Sequence, residues 1–163
     1  MLIVEDGTGS NEDANSYVDL TSIRTYAALH NVNISAYSDA QLNGFALNAM
    51  EYIENIGDMF KGMPTSATQP LQWPRDDVWG IGRPDHHTED NEIPSQLKKA
   101  QLQLTMTARD GDVMPDQTKA QILSRSITGG SESYAQLTNS SVTIKTDAIL
   151  IPLKRKYKLT TRV

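Results

Sequence analysis

Cysteine is missing from this 163-residue chain, which excludes disulfides and thiolate metal sites. Long apolar runs are missing as well: no stretch approaches the roughly 18 residues of a membrane-spanning helix, so no transmembrane span and no membrane partner is expected. The opening residues Met1 to Asp6 show no basic region followed by an apolar one, so they do not read as a signal peptide. These absences point to a chain made in the cytosol, where the glycosylation-like triplets at Asn33 and Asn139 carry no meaning. Internal repeats and long low-complexity blocks are absent too. What the length allows is one domain burying about 70% of its unfolded surface.

Charge is uneven. The formal net charge is −5, yet the last ten residues hold Lys154, Arg155, Lys156, Lys158 and Arg162 and no acid, which leaves −10 on the first 153. An acidic body with a basic tail suggests an interacting arm. The body itself would repel a nucleic-acid backbone.

Hydrophobic spacing predicts three helices. Asp19 is a plausible N-cap for a helix over Leu20–Leu29, with Leu20, Ile23, Tyr26 and Ala27 on one face and Asn31 and Asn33 ending it. Ser38 and Gln41 form a capping box, followed by Leu42, Phe45, Ala46, Ala49, Met50, Ile53 and Ile56 at helical steps until Gly57-Asp58. Gly44 inside that helix suggests close packing against a neighbour. Ile93-Pro94-Ser95 opens the third helix, with Leu97, Ala100, Gln101, Leu104 and Ala108 on its face and Asp110-Gly111-Asp112 at its end. Residues 57–92 read as loop. Within them, Gly62–Arg75 carries Trp73 in otherwise linker-like sequence, and a tryptophan has a large apolar area to bury, so this loop is expected to be ordered.

After Pro115 the pattern turns extended. Ile122–Ile127 and Tyr134–Leu137 flank Thr128-Gly129-Gly130-Ser131 as a hairpin or loose arms, and Ser141–Lys145 is a further alternating run. Asp147 is read as a cap for a short segment from Ala148 to Tyr157. The fold class is therefore mainly α: a small helical bundle with a long ordered loop, a minor β-hairpin and an extended C-terminal arm. The expected division is a helical core over 1–120 and hairpin plus arm over 121–163, within one domain overall.

Catalytic signals are thin, and the chain does not read as an enzyme. His86-His87 lie among Asp85, Glu89 and Asp90, a set that could bind zinc or nickel, but adjacent residues of an extended chain diverge, and a solvated polar loop is favoured. His30 falls at a helix C-terminus, where a cation is stabilised. Gly80-Ile81-Gly82 has no preceding strand and no third glycine for a dinucleotide loop. Asp6 to Asp13 lacks the spacing of a calcium loop, and no serine occupies a nucleophile elbow. No cofactor and no metal is expected.

Two binding features stand out. Trp73-Pro74-Arg75 is either a core plug, with Arg75 paired to Asp76 or Asp77, or a direct subunit contact; the core is favoured for Trp73 and the interface for Arg75. The second is Ile149, Leu150, Ile151 and Leu153 followed by Lys154, Arg155, Lys156 and Tyr157. Exposed apolar residues in such a run are a liability, so this segment is expected to dock on something.

Three segments resemble the head–tail connector (adaptor, or head-completion) proteins of tailed bacteriophages, including members labelled as having a DnaT-like single-stranded-DNA-binding domain. They are Asp13-Ala14-Asn15-Ser16-Tyr17-Val18; then Phe60-Lys61-Gly62 with Ser66, Gln69, Leu71 and Trp73-Pro74-Arg75; and Ile93-Pro94 with Leu97, Lys98, Ala100 and Gln101. A looser match covers Ser124–Tyr134 and Ala148–Leu153. The resemblance implies a ring subunit, commonly dodecameric, in the virion neck under the portal protein. Such a ring, assembled in the host cytoplasm, would extend the channel for double-stranded DNA without sequence-specific binding and dock tail or nozzle proteins. It implies portal or neighbour contacts for the C-terminal arm; the basic Lys154–Val163 end departs from the usual pattern. The alternative is a DnaT-like single-stranded-DNA-binding protein. That function needs cations with stacking aromatics, and with an acidic body only the tail is expected to serve it.

Overall fold

The computed structural model describes residues 1–81, 85–89, 91–111, 113, 122–125, 132–134 and 144–155. Helix α1 spans Leu20–Leu29, and the Asp19 carboxylate accepts from Ser22 N at 2.6 Å. Helix α2 spans Asp39–Asn55 behind the Ser38/Gln41 box: Ser38 Oγ accepts from Gln41 N at 3.3 Å, and Gln41 Oε1 accepts from Ser38 N at 3.0 Å. Helix α3 spans Ser95–Ala108, with Pro94 at the cap position. These elements lie where local signals put them, because caps and periodicity act within a few residues.

Helix α3 is central. It packs against α2, against α1 and against a fourth helix, α4, at Ile144–Leu150. Accordingly its buried set, Leu97, Ala100, Gln101, Leu104, Thr105, Met106 and Ala108, exceeds a single stripe. One apolar cluster joins α2, α3 and α4 through Ile53, Leu97, Leu104, Leu150 and Leu153, with Phe60 and Trp73; a second joins α1 to the start of α2 through Ile23, Ala27, Leu42 and Ala46. Gly44 corrects an expectation: it is exposed, and a Cβ there would meet nothing within 4 Å, so it serves no close packing.

The Gly62–Arg75 loop is ordered. Strand β1 (Met63–Pro64) pairs antiparallel with β2 (Arg75–Asp76), Met63 facing Asp76 and Pro64 facing Arg75. Gln69 stitches the interior, accepting from Ser66 N at 2.9 Å and donating to Leu71 O at 2.6 Å and Pro74 O at 3.0 Å. The Trp73–Pro74 peptide is cis. Gly62 has φ +67°, and a Cβ there would lie 2.1 Å from Asp76 O, so only glycine lets the two strands approach.

A second antiparallel pair joins β3 (Ile122–Arg125) to β4 (Glu132–Tyr134). The expected turn at 128–131 and the residues Lys156 and Tyr157 lie outside the described residues. Residues 144–155, expected as part of an arm, are instead part of the body. Helix α4 begins at Ile144, which places Asp147 in its first turn and not at its cap; a 3₁₀ turn follows at Ile151–Leu153. Leu150 and Leu153 are fully buried, Ile149 packs on the same cluster, and Ile151 is exposed. Lys61 N donates to Leu153 O at 2.9 Å and Arg155 N to Met59 O at 2.7 Å. The apolar run does need a cover, and the chain's own core supplies it.

Candidate nucleic-acid interface

The segments behind the resemblance meet at Tyr17. Its backbone N–H donates to Gln101 Oε1 at 2.9 Å, while Gln101 Nε2 donates to Ser16 Oγ at 2.8 Å. The Tyr17 hydroxyl donates to Glu54 Oε1 at 3.1 Å and accepts from Trp73 N at 3.1 Å. Glu54 Oε2 accepts from Gln72 N at 3.0 Å. Burial pushes the Glu54 carboxyl up to about 7, against the opposing pull of Tyr17, Gln72 and Arg75. Burial, then the Glu54 charge, pushes the Tyr17 hydroxyl well above its usual range. Residues from the first helix entry, the tryptophan loop and α3 therefore form one polar joint that locks the fold.

Trp73 belongs to this joint. It is 0% exposed and meets Phe60 edge-on at a centroid distance of 6.1 Å. Pro74 and Arg75 are buried too. Arg75 does not pair with Asp76 or Asp77. Its guanidinium donates to Lys61 O (2.8 Å), Gln72 O (3.1 Å), Gln72 Oε1 (2.9 Å) and Gly62 O (3.1 Å). Loop carbonyls left over by so little ladder need donors, and a planar fork meets several at once. In the isolated chain none of the three offers an open face to a partner.

The exposed ring is the other tryptophan. In the segment after β2, Val78 points into the core and is fully buried, so Trp79 points out, 53% exposed. Its indole N–H donates to Asp77 Oδ1 at 2.8 Å, and its ring lies 4.6 Å from that of His87, tilted by 57°. Thr88 N donates to Val78 O and Gly80 N to His86 O, which fixes the two flanks of this loop. Lys61 Nζ reaches across to Trp79 O at 3.0 Å and Gly80 O at 3.2 Å. Lys61 also carries the backbone contact to Leu153, so Lys154 and Arg155 lie on the body beside the same segment. Lys154 bonds Asp147 at 3.2 Å, and Tyr52 OH donates to the same Asp147 oxygen at 2.8 Å. The root of the basic tail and an aromatic pair with an exposed Trp79 thus share one side of the molecule.

Trp79 is not among the residues that the sequence singles out. The signal available was a second tryptophan in a glycine-flanked loop, with no helical stripe to absorb it. Among the described residues, no three His, Asp or Glu side chains converge to hold a metal ion; His87 lies on Trp79 and His86 is exposed. The Asp6–Asp13 loop folds around the buried Glu5, whose Oε1 accepts from Gly7 N and Gly9 N, each at 3.0 Å. No helix among the described residues is long and apolar enough to cross a membrane.

The whole chain, residues 1–163, matches the family described as "Putative DnaT-like ssDNA binding protein", and the chain belongs to that family. No curated protein and no solved structure is significantly similar to it. The family match speaks for the single-stranded-DNA reading, the alternative of the two drawn from the sequence, and is silent on a connector ring.

Proposed function

We propose that this protein binds single-stranded DNA, with the Trp79–His87 pair as a stacking platform and the basic C-terminal segment from Lys154 onward as the clamp on the backbone. The observation that carries this reading is the half-exposed Trp79 beside Lys61 and the root of that segment, in a chain whose full length matches a single-stranded-DNA-binding family. Bases stack on aromatic faces whatever their sequence, each contributing about 1–3 kcal/mol, and cations alongside hold the phosphates. The acidic body works against this, so binding is expected to be modest and strongly salt-dependent. The test is fluorescence anisotropy of a labelled oligo(dT), comparing the full chain, Trp79→Ala and a chain ending at Arg155. A shorter truncation at Pro152 is unsuitable because it removes the buried Leu153. Binding that neither change weakens would refute the assignment of these residues.

A second reading is the connector ring subunit at the portal, with tail and DNA-channel contacts. It is favoured by the acidic body, since a weakly repulsive wall lets a duplex slide. Imaging purified portal mixed with this protein tests it; absence of a ring density beneath the portal would end it.

A further inference from the structure

Two guanidinium groups converge on one carbonyl oxygen beside the proposed interface. Gly62 O accepts from Arg75 Nη2 at 3.1 Å and from Arg155 Nη2 at 2.8 Å. The two cations approach from opposite origins, one enclosed in the tryptophan loop and the other exposed at the start of the basic C-terminal segment. Like charges so close repel unless an anion shares them. Burial first, and the Arg155 charge second, pull the Arg75 guanidinium below its usual range, while Tyr17, Glu54 and Asp58 offset this only through space. Among the described residues Arg155 has no ion-pair partner.

Most of Arg75 is committed, because four of its five N–H groups already go to Lys61, Gln72 and Gly62. Among the described residues, the Arg155 guanidinium donates to Gly62 O alone. Arg155 is exposed, and the other face of its fork has the geometry of the paired contact that suits a phosphate. We propose that Arg155, backed from beneath by Arg75 at the Gly62 carbonyl, is an oxyanion site that holds a phosphate group. On the single-stranded-DNA reading, on which the identity of the ligand rests, that phosphate belongs to the backbone of a strand whose base lies on Trp79. Lys61 connects the two: its carbonyl holds Arg75 and its ammonium holds the Trp79 segment.

The test uses the ¹⁵N-labelled full chain and its Arg155→Gln variant, with two probes. Inorganic phosphate is titrated while amide shifts are followed, and a labelled oligo(dT) is bound at a series of salt concentrations. Phosphate should shift the Gly62 and Arg155 amides of the parent and leave the variant unmoved. Oligonucleotide binding should lose about 0.7 from the magnitude of its log–log salt slope in the variant, or roughly eight-fold in affinity between 1 M and 50 mM salt. Arg155→Lys, which keeps the charge, should keep the slope. If phosphate shifts the parent but no oligonucleotide binds, the oxyanion site stands and the DNA reading falls. If oligonucleotide binds and the variant's slope and shifts match the parent's, the DNA reading stands and this site is refuted. No response to either probe refutes both.

Discussion

Glu54 makes the stability of this fold depend on pH in a direction opposite to that of most carboxylates. Its carboxyl is enclosed between Tyr17 and the Gln72 backbone, and burial lifts it to about 7 from 4.5. The folded state then holds the proton more tightly than the unfolded chain. The contribution is fully present below about pH 4.5 and is lost as pH rises through about 7. A difference of 2.5 between 7 and 4.5, at 1.36 kcal/mol per unit, gives about 3 kcal/mol over that window. Glu54→Gln removes the titration while keeping a side chain of the same shape. Urea unfolding at pH 5, 6, 7 and 8 should show the parent losing about 2.5 kcal/mol relative to the variant, most of it between pH 5 and 7. Parallel pH profiles for the two proteins would refute the reasoning, and would mean that the Tyr17 and Gln72 bonds hold Glu54 ionised throughout.

The other expectations concern stability and are read by the same unfolding assay. Trp73→Ala should cost about 3–5 kcal/mol, because the ring is wholly enclosed; a variant melting like the parent would show that the ring is not part of the core. Leu153→Ala should cost about 2–5 kcal/mol if the C-terminal segment belongs to the body, whereas a detachable arm would leave stability unchanged. Asp19→Ala should cost about 1 kcal/mol through the lost bond to Ser22. Gly62→Ala should cost more than about 1 kcal/mol, since it combines a positive φ with a Cβ 2.1 Å from Asp76 O.

Local features of the fold were legible in the sequence. Asp19, the Ser38/Gln41 box and the stripes on α2 and α3 act over a turn or two, so residue spacing alone locates them. Trp73 was legible for a different reason, since a ring of that size in linker-like sequence has to be buried somewhere. Contacts made across the chain were not legible. The Leu150–Leu153 stretch announced a need for cover, yet nothing local says that Phe60 and Lys61, far back in the sequence, provide it. Gln101 read as one more residue on a helix face, although its amide ties α3 to Ser16 and Tyr17. For Arg75 the local guess was an acid next door, whereas the loop's own unpaired carbonyls were the stronger demand. The candidate site was the least legible part. The tail's charge was visible, but Trp79 gains meaning only when Lys61 is brought beside it and Arg155 onto Gly62, next to Lys61 in the chain, and the segments with the most specific sequence pattern turn out to hold the fold together.

The measurement that bears most directly on single-stranded-DNA binding is intrinsic tryptophan emission during a titration with unlabelled oligo(dT) at low salt. The chain has two tryptophans, one enclosed at position 73 and one open at position 79. Stacking on Trp79 predicts quenching that reverses on adding salt and disappears in Trp79→Phe. Emission unchanged at saturating oligonucleotide, or quenching that persists in Trp79→Phe, would contradict it.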